Sequence, residues 1–133
     1  FKISLFDVSD VSNPVEAKKE VIGKEAGSPL ANDHKALMIS LDKGIMGFPV
    51  YYMDSHSEYF VGYYLYNISA GDFSYKGRIT HVPDGTPVYE VRGEYFILRG
   101  FYIGNNLYTI SGSQLQVHDL ATLAKKGSLS FGQ

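Results

Sequence analysis

One sequence pattern occurs three times in this chain, and it limits the folds open to the chain more than any other feature. The three copies are SLFDVSDVSNPVEAKKEVI, YYLYNISAGDFSYKGRITHV and LQVHDLATLAKKGSLSF. Each has an apolar residue, an aromatic residue or His, an Asp or Asn, and a β-branched residue or Leu. Small polar turn residues and a second strand-like stretch containing Lys then follow. The pattern predicts that one supersecondary unit recurs along the chain.

The Asp or Asn of each copy is the best-defined point of the pattern. Asp7, Asn67 and Asp119 occupy this position, so successive copies are 60 and 52 residues apart. A period of this size, with about four strands to a unit, is typical of propeller blades. A short acceptor side chain at the end of a strand can bind the backbone N–H groups that follow it and so fix a turn. We therefore predict that these residues are structural turn anchors, although Asx residues are common before turns and could recur there by chance.

The rest of the chain has the succession of strand-like and turn-like stretches that is typical of an all-β protein. Its 11 Tyr and 8 Phe residues favour strands, and short groups of Gly, Asn, Asp, Ser and Pro separate the apolar stretches. Residues 14–25 contain good helix formers after Pro14, but their apolar stripe is thin, so we predict a turn followed by a strand rather than a short helix. The main predicted strand regions, joined as antiparallel meanders, are 34–41, 44–53, 58–69, 73–82, 94–104 and 107–119.

Length and composition exclude several classes of function. A chain of 133 residues suffices for one domain with a sizeable core and is too short for two. With 12 Lys and Arg against 14 Asp and Glu, it lacks the positive surface that nucleic acids require. No apolar run is long enough to cross a bilayer as a helix. The absence of Cys removes disulfides, thiolate zinc sites and thiol nucleophiles, and leaves the redox compartment open.

The segments SLFDVSDVSNP and NDHKALMISLDKGIMGFPV carry a resemblance to a known family. Through them most of the chain resembles secreted bacterial and archaeal proteins with a C-terminal β-propeller domain, distantly related to WD repeats. The resemblance implies an exported protein of the extracellular space or cell surface, of which this chain is the last two to three blades. It carries over no catalytic residue. We accordingly expect one propeller fragment with an incomplete ring, made of a partial blade at residues 1–30 and blades at residues 31–90 and 91–133.

One cluster of ionisable residues is a weak candidate for ligand binding. Asp33, His34 and Lys35 are adjacent, and an Asp beside a His can orient it as a base or raise its pKa. Neighbouring side chains of a strand point to opposite faces, however, so Asp33 and His34 cannot simply pair. The alternative is a structural role, in which His34 forms hydrogen bonds to the backbone between blades.

No other motif indicates catalysis, a metal or a cofactor. The four histidines are 22 or more residues apart, without the spacing of a two-His metal site. The sequence contains neither a G-x-S-x-G nucleophile motif nor the glycine spacing of a phosphate loop. We therefore predict no catalytic residue, no metal site and no cofactor.

Aromatic residues crowd the region 51–66. Flat rings on a propeller surface can stack against sugars or anchor peptides, but strands with both faces covered also read as continuous apolar runs, so we interpret most of these rings as core between blades. Asn67-Ile68-Ser69 fits a glycosylation sequon as well, and we prefer the turn role for Asn67. The crowded rings are Tyr51, Tyr52, Tyr59, Phe60, Tyr63, Tyr64 and Tyr66.

These features favour a non-catalytic binding or scaffolding module with a protein or carbohydrate ligand. The alternatives are a hydrolase acting on glycans or peptides at a propeller channel, and a purely structural spacer in the cell envelope. A set of two to three blades leaves apolar faces and strand edges uncovered. The remaining blades of the parent chain would cover them in the whole protein. We expect the chain alone to self-associate, through the segment Tyr59 to Tyr66 or the edge that starts at Phe1.

Overall fold

The computed structural model describes residues 2–7, 12, 15–21, 28, 36–53, 59–69 and 72–131. This part of the chain contains ten β-strands, two single-turn 3-10 helices at Val88–Glu90 and Gly93–Tyr95, and no α-helix. None of its helices is long and apolar enough to cross a bilayer. The all-β prediction is therefore confirmed. The strands are β1 Lys2–Asp7, β2 Val15–Val21, β3 Met38–Ser40, β4 Ile45–Met53, β5 Tyr59–Ser69, β6 Asp72–Ile79, β7 Ile97–Ile103, β8 Asn106–Ser111, β9 Gln114–Asp119 and β10 Lys125–Ser130.

The strands form three antiparallel sheets that follow one another along the chain. Sheet 1 is the hairpin of β1 and β2, sheet 2 has the order β3-β4-β5-β6, and sheet 3 has the order β7-β8-β9-β10. Every strand of the two larger sheets pairs with its neighbour in sequence, so each sheet is a four-stranded meander. The three sheets lie within the intervals 1–30, 31–90 and 91–133.

The repeated pattern located strands that apolar alternation alone does not reveal. Its Lys-containing second stretches correspond to β2, β6 and β10, which confirms the choice of a strand over a helix after Pro14. The region 107–119 consists of β8 and β9, separated by the turn at residues 111–113. Three regions were predicted too long, one of them 73–82, because β6 ends at Ile79. Strand β3 spans only 38–40 of the region 34–41, of which 34 and 35 lie outside the described residues, and a 3-10 turn precedes β7.

Glycines shape the tight connections within the two larger sheets. Gly44, between β3 and β4, has φ +62°, and its N–H group donates to the Leu41 carbonyl at 3.2 Å. Gly104, between β7 and β8, has φ +59°. A side chain at either position would strain the backbone, because L-residues rarely adopt this left-handed region. The chain thus turns at these two glycines, each of which belongs to a short group that contains Gly, Asn or Asp residues between apolar stretches.

Sheets 2 and 3 pack face to face through one apolar core. We call the side of sheet 2 that faces this core its core face, and the side of sheet 3 that faces it its inner face. Complete burial of each large apolar side chain stabilises the fold by roughly 1.5–3 kcal/mol. Sheet 2 contributes Met38, Ile45, Tyr63, Leu65 and Ile79 to this core. Sheet 3 contributes Ile97 and Leu107 from its strands and Leu120 from the turn that follows β9.

Tyr63 is the central residue of this core and is completely buried. Its ring lies between Gly47 of sheet 2 and Gly100 of sheet 3, and a Cβ atom at either glycine would come within 2.5 Å of a ring carbon. Both positions therefore require glycine for the sheets to approach each other. Burial raises the pKa of the Tyr63 hydroxyl above its usual range.

The opposite side of sheet 2, its aromatic face, is also buried. Phe48, Val50, Tyr66 and Phe73 form a second cluster there, and the rings of Phe48 and Tyr66 stack with centroids 5.7 Å apart. Tyr66 is completely buried, like Tyr63 on the core face. Most of the segment Tyr59 to Tyr66 is therefore buried within the chain, and its role in self-association stays a prediction.

Sheet 3 differs because one of its sides is open. In the strand register Phe101 lies opposite Tyr108, Ile110 lies opposite Leu115, and Leu115 lies opposite Leu129. Residues that lie opposite each other share one side of a sheet. We call the side that carries these residues the outer face. Phe101 is 43% exposed and Leu129 61% exposed. The rings of Phe101 and Tyr108 stack on this face with centroids 5.1 Å apart. An apolar sheet surface thus faces away from the core.

Candidate functional site

The ligand-binding cluster predicted from the sequence lies outside the described residues. Asp33, His34 and Lys35 all fall in the range 29–35. Their roles stay predictions.

The three predicted turn anchors occupy different positions. Asp7 is the last residue of β1, where only the backbone is described. Asn67 lies within β5, two residues before its end, with an exposed side chain. Asp119 ends β9, and its Oδ1 accepts hydrogen bonds from the N–H groups of Ala121 at 2.9 Å and Thr122 at 3.0 Å. These bonds lower the pKa of Asp119, and the geometry is that of an Asx turn.

A buried histidine links the two larger sheets just after β6. His81 is 1% exposed, with Nδ1 2.7 Å from Ser111 Oγ and Nε2 2.9 Å from Thr109 Oγ1 on β8. A neutral imidazole has one donor and one acceptor nitrogen, and hydroxyl groups can complement both. Burial, together with the positive charges of the nearby His118 and Lys125, lowers the pKa of His81 to about 4.

Ser111 and His81 are as close as a catalytic serine and its histidine base, but the groups around them differ from those of a catalytic site. In a Ser-His-Asp site the second ring nitrogen faces a carboxylate that stabilises the imidazolium. Here Nε2 faces the Thr109 hydroxyl instead, and Ser111 is 3% exposed. A histidine whose pKa is about 4 is also a weak base at neutral pH. The arrangement fits a structural hydrogen-bond bridge between sheets.

Two glutamines extend this polar network along β9. The Gln114 amide donates to the His81 carbonyl at 3.2 Å, and the Gln116 amide donates to Gln114 Oε1 at 3.2 Å. Residues 114, 116 and 118 alternate along the strand and therefore share its inner face. The network ends beside His118, which is 6% exposed.

A cleft of about 460 Å³ opens beside this network, between the end of sheet 2 and strands β9 and β10. We call it the histidine cleft. Burial lowers the pKa of His118, as does the charge of Lys125. The buried Nδ1 atom of His118 has no hydrogen-bond partner among the described residues. The polar residues of the cleft include His81, Asp84, Gln114, Gln116, His118 and Lys125.

A second, apolar groove of about 390 Å³ lies at the other end of sheet 2. Tyr51 and Phe96 meet there with ring centroids 5.6 Å apart, and the Tyr59 hydroxyl donates to the Thr86 carbonyl. Of the aromatic residues in the region 51–66, Tyr51, Tyr52 and Tyr59 thus line a surface groove, while Tyr63 and Tyr66 are buried in the core. No group of three or more His, Asp or Glu side chains suited to a metal ion occurs in the part of the chain that the structure describes.

Sequence reasoning missed the histidine cleft. Its signal is the strict alternation in NLYTISGSQLQVHDL, residues 106–120. Alternation ordinarily places the apolar set inward, but here Thr109, Ser111, Gln116 and His118 are buried on the inner face. Except for Leu107, which is in the core, the apolar residues of these strands lie on the outer face. The cleft therefore lies beside polar residues that the alternation alone would place on the solvent-exposed side of the sheet.

Consecutive four-stranded meanders that stack face to face define a repeat module of the propeller-blade type. A family model described as a beta propeller domain matches residues 1–123. The chain belongs to the beta propeller domain family. No curated protein and no solved structure matches it.

Proposed function

We propose that this chain is a non-catalytic binding or scaffolding module of an exported or cell-surface protein. The histidine cleft is the observation that carries the proposal. It is a concave polar site at a junction of two sheets, a common position for ligand sites. The pair of Ser111 and His81 next to it lacks the carboxylate of a catalytic triad. The exported location is supported by the family resemblance of the sequence.

The scaffolding part of the proposal is supported by the outer face of sheet 3. Except for Leu107, the apolar residues of β8 and β9 lie on the side away from sheet 2, and Ile103 and Leu129 are more than half exposed. Exposed apolar sheet surfaces are favourable sites for association. We propose that a second copy covers this face when the chain is alone, and that the remaining blades of the parent chain cover it in the whole protein.

A hydrolase acting on glycans or peptides is the alternative function. The short distance between Ser111 and His81 is the observation in its favour. It requires that ligand binding expose both side chains and supply a group that stabilises the imidazolium. A structural spacer in the cell envelope is the third candidate, and it requires no ligand at all.

Binding and turnover measured on the same preparation separate these functions. The chain is tested against panels of oligosaccharides and peptides by a direct binding assay, and against chromogenic esters, glycosides and peptide anilides for hydrolysis. We expect binding without turnover. Hydrolysis that disappears in Ser111→Ala, with the variant still folded by circular dichroism, would establish the enzyme. An absence of both binding and turnover would favour the spacer.

A further inference from the structure

His118 places an unused hydrogen-bonding atom in the histidine cleft. Buried polar atoms are nearly always paired with protein or water, whereas its Nδ1 has no partner among the described residues. His81, its neighbour in the cleft, has both ring nitrogens engaged. The difference points to His118, and not His81, as the histidine that a ligand would meet.

Lys125 determines the charge next to this histidine. It pairs with His118 across β9 and β10, and its positive charge lowers the pKa of both His118 and His81. Two other charged residues line the cleft, but Arg78 holds its guanidinium 4.6 Å from the centre of the Phe60 ring, on the aromatic face. Asp84 has no such effect on either histidine. The site therefore favours a negative group beside His118.

The remaining lining of the cleft suits a hydroxyl-rich ligand. An amide side chain carries two N–H donors, and the network uses one from Gln114 and one from Gln116. Apolar side chains also line the cleft, and the C–H face of a sugar ring can rest on them. These side chains come from Ile79, Val82, Pro83 and Leu123.

We propose that the histidine cleft binds an acidic sugar, a pyranose that carries a carboxylate. The carboxylate accepts hydrogen bonds from the Lys125 ammonium and the His118 imidazole, and the ring hydroxyls bind the amides of Gln114 and Gln116. The cleft volume of about 460 Å³ holds one such ring together with bound water. This assignment rests on the proposed binding function and names the ligand class for the same site.

Titration by nuclear magnetic resonance with three probes tests the assignment. D-glucuronate carries both chemical features, D-glucose has only the hydroxyls and acetate only the carboxylate. We expect D-glucuronate to bind with a dissociation constant on the order of 1 mM, as is usual for a ligand of this size. D-glucose and acetate should each bind about tenfold or more weakly. Equal binding of D-glucose and D-glucuronate would overturn the carboxylate assignment.

A matched pair of lysine variants locates the site. Lys125→Gln should weaken D-glucuronate about tenfold. Lys126→Gln removes the same charge from the next residue, whose ammonium contacts Asn106 and Asp119 outside the cleft, and should bind as the unmodified chain does. Both lysines are exposed, so neither variant is expected to unfold. Equal effects of the two variants would mean that only the general charge matters, and would overturn the site.

His118 supplies a readout that a purely structural residue would not give. A bound carboxylate favours the imidazolium, so D-glucuronate should raise the pKa of His118, followed by its imidazole resonances from about pH 4 to 8. The same titration with D-glucose keeps His81, Asp84 and Lys125 in place and serves as the control without a carboxylate. An unchanged pKa under saturating D-glucuronate would contradict the proposed contact.

The ligand class and the general function fail in different ways. If the three probes fail but another panel member binds and Lys125→Gln or His118→Gln weakens it, the acidic-sugar assignment is wrong and the binding module stands. If no panel member binds at the cleft, both are wrong.

Discussion

Sheet 2 and sheet 3 have the same strand order and hairpin connections, yet their surroundings differ. Sheet 2 is buried on its core face through Tyr63 and Leu65 and on its aromatic face through Tyr66 and Phe48. Among the described residues, sheet 3 is covered on its inner face, where polar residues replace much of the apolar packing, and not on its outer face. The same meander can thus be an interior layer or a terminal layer. Its neighbours, and not its strand pattern, decide which.

The largest effect is expected from truncating the same residue type in the two sheets. Leu65 on the core face is completely buried, whereas Leu129 on the outer face is 61% exposed. Leu65→Ala should lower the free energy of unfolding by about 2–5 kcal/mol, because it removes apolar contact and leaves a cavity. Leu129→Ala should change it by about 0.5 kcal/mol or less in dilute solution. Urea denaturation of both variants measures the difference, and equal losses would mean that the outer face is covered.

Acid should act on the junction between the two sheets. His81 has a pKa of about 4 when folded and 6.5 in its unperturbed state. Between these values the unfolded chain binds a proton that the folded chain does not, so the free energy of unfolding falls as the pH drops from 6.5 to 4. The loss can reach about 3 kcal/mol, and His118 adds to it in the same direction.

A variant without the His81 imidazole isolates this acid effect. Denaturation of His81→Gln between pH 7 and pH 4.5 should show a much smaller loss than that of the unmodified chain. If both proteins lose the same stability, His81 is not the group responsible.

Self-association should depend on the outer face of sheet 3. We expect light scattering at micromolar concentration to show a dimer or larger assembly. Leu129→Lys should weaken the association about tenfold or more, which corresponds to 1.4 kcal/mol, because it places a charge within an apolar contact. Ile39→Lys, at an exposed aliphatic position of sheet 2, provides the comparison. A monodisperse monomer for the unmodified chain would rule out this surface as an interface.

The smallest effect is expected at the turn that follows β9. Asp119→Ala removes two hydrogen bonds to backbone N–H groups and an ion pair at 3.7 Å with Lys126. The residue is close to solvent, so we expect the melting temperature to fall by only about 2–4 °C, without a change in ligand binding. Asp119→Asn keeps one acceptor oxygen and should recover most of the loss. An unchanged melting temperature in Asp119→Ala would show that the turn does not need its anchor.

The repeated motif and local turn chemistry determined much of this protein from the sequence alone. The meanders, the strand after Pro14 and the turns at Gly44 and Gly104 follow from strand propensity and positive-φ positions, which act over a few residues. Tertiary structure decided which side of each strand became interior. Alternation in β8 and β9 defines two faces but not their direction, and contact with sheet 2 places Thr109 and His118 inward. The histidine cleft exists because that contact brings His81, about 30 residues earlier in the chain, against these polar side chains, and such long-range juxtaposition leaves no local sequence signal.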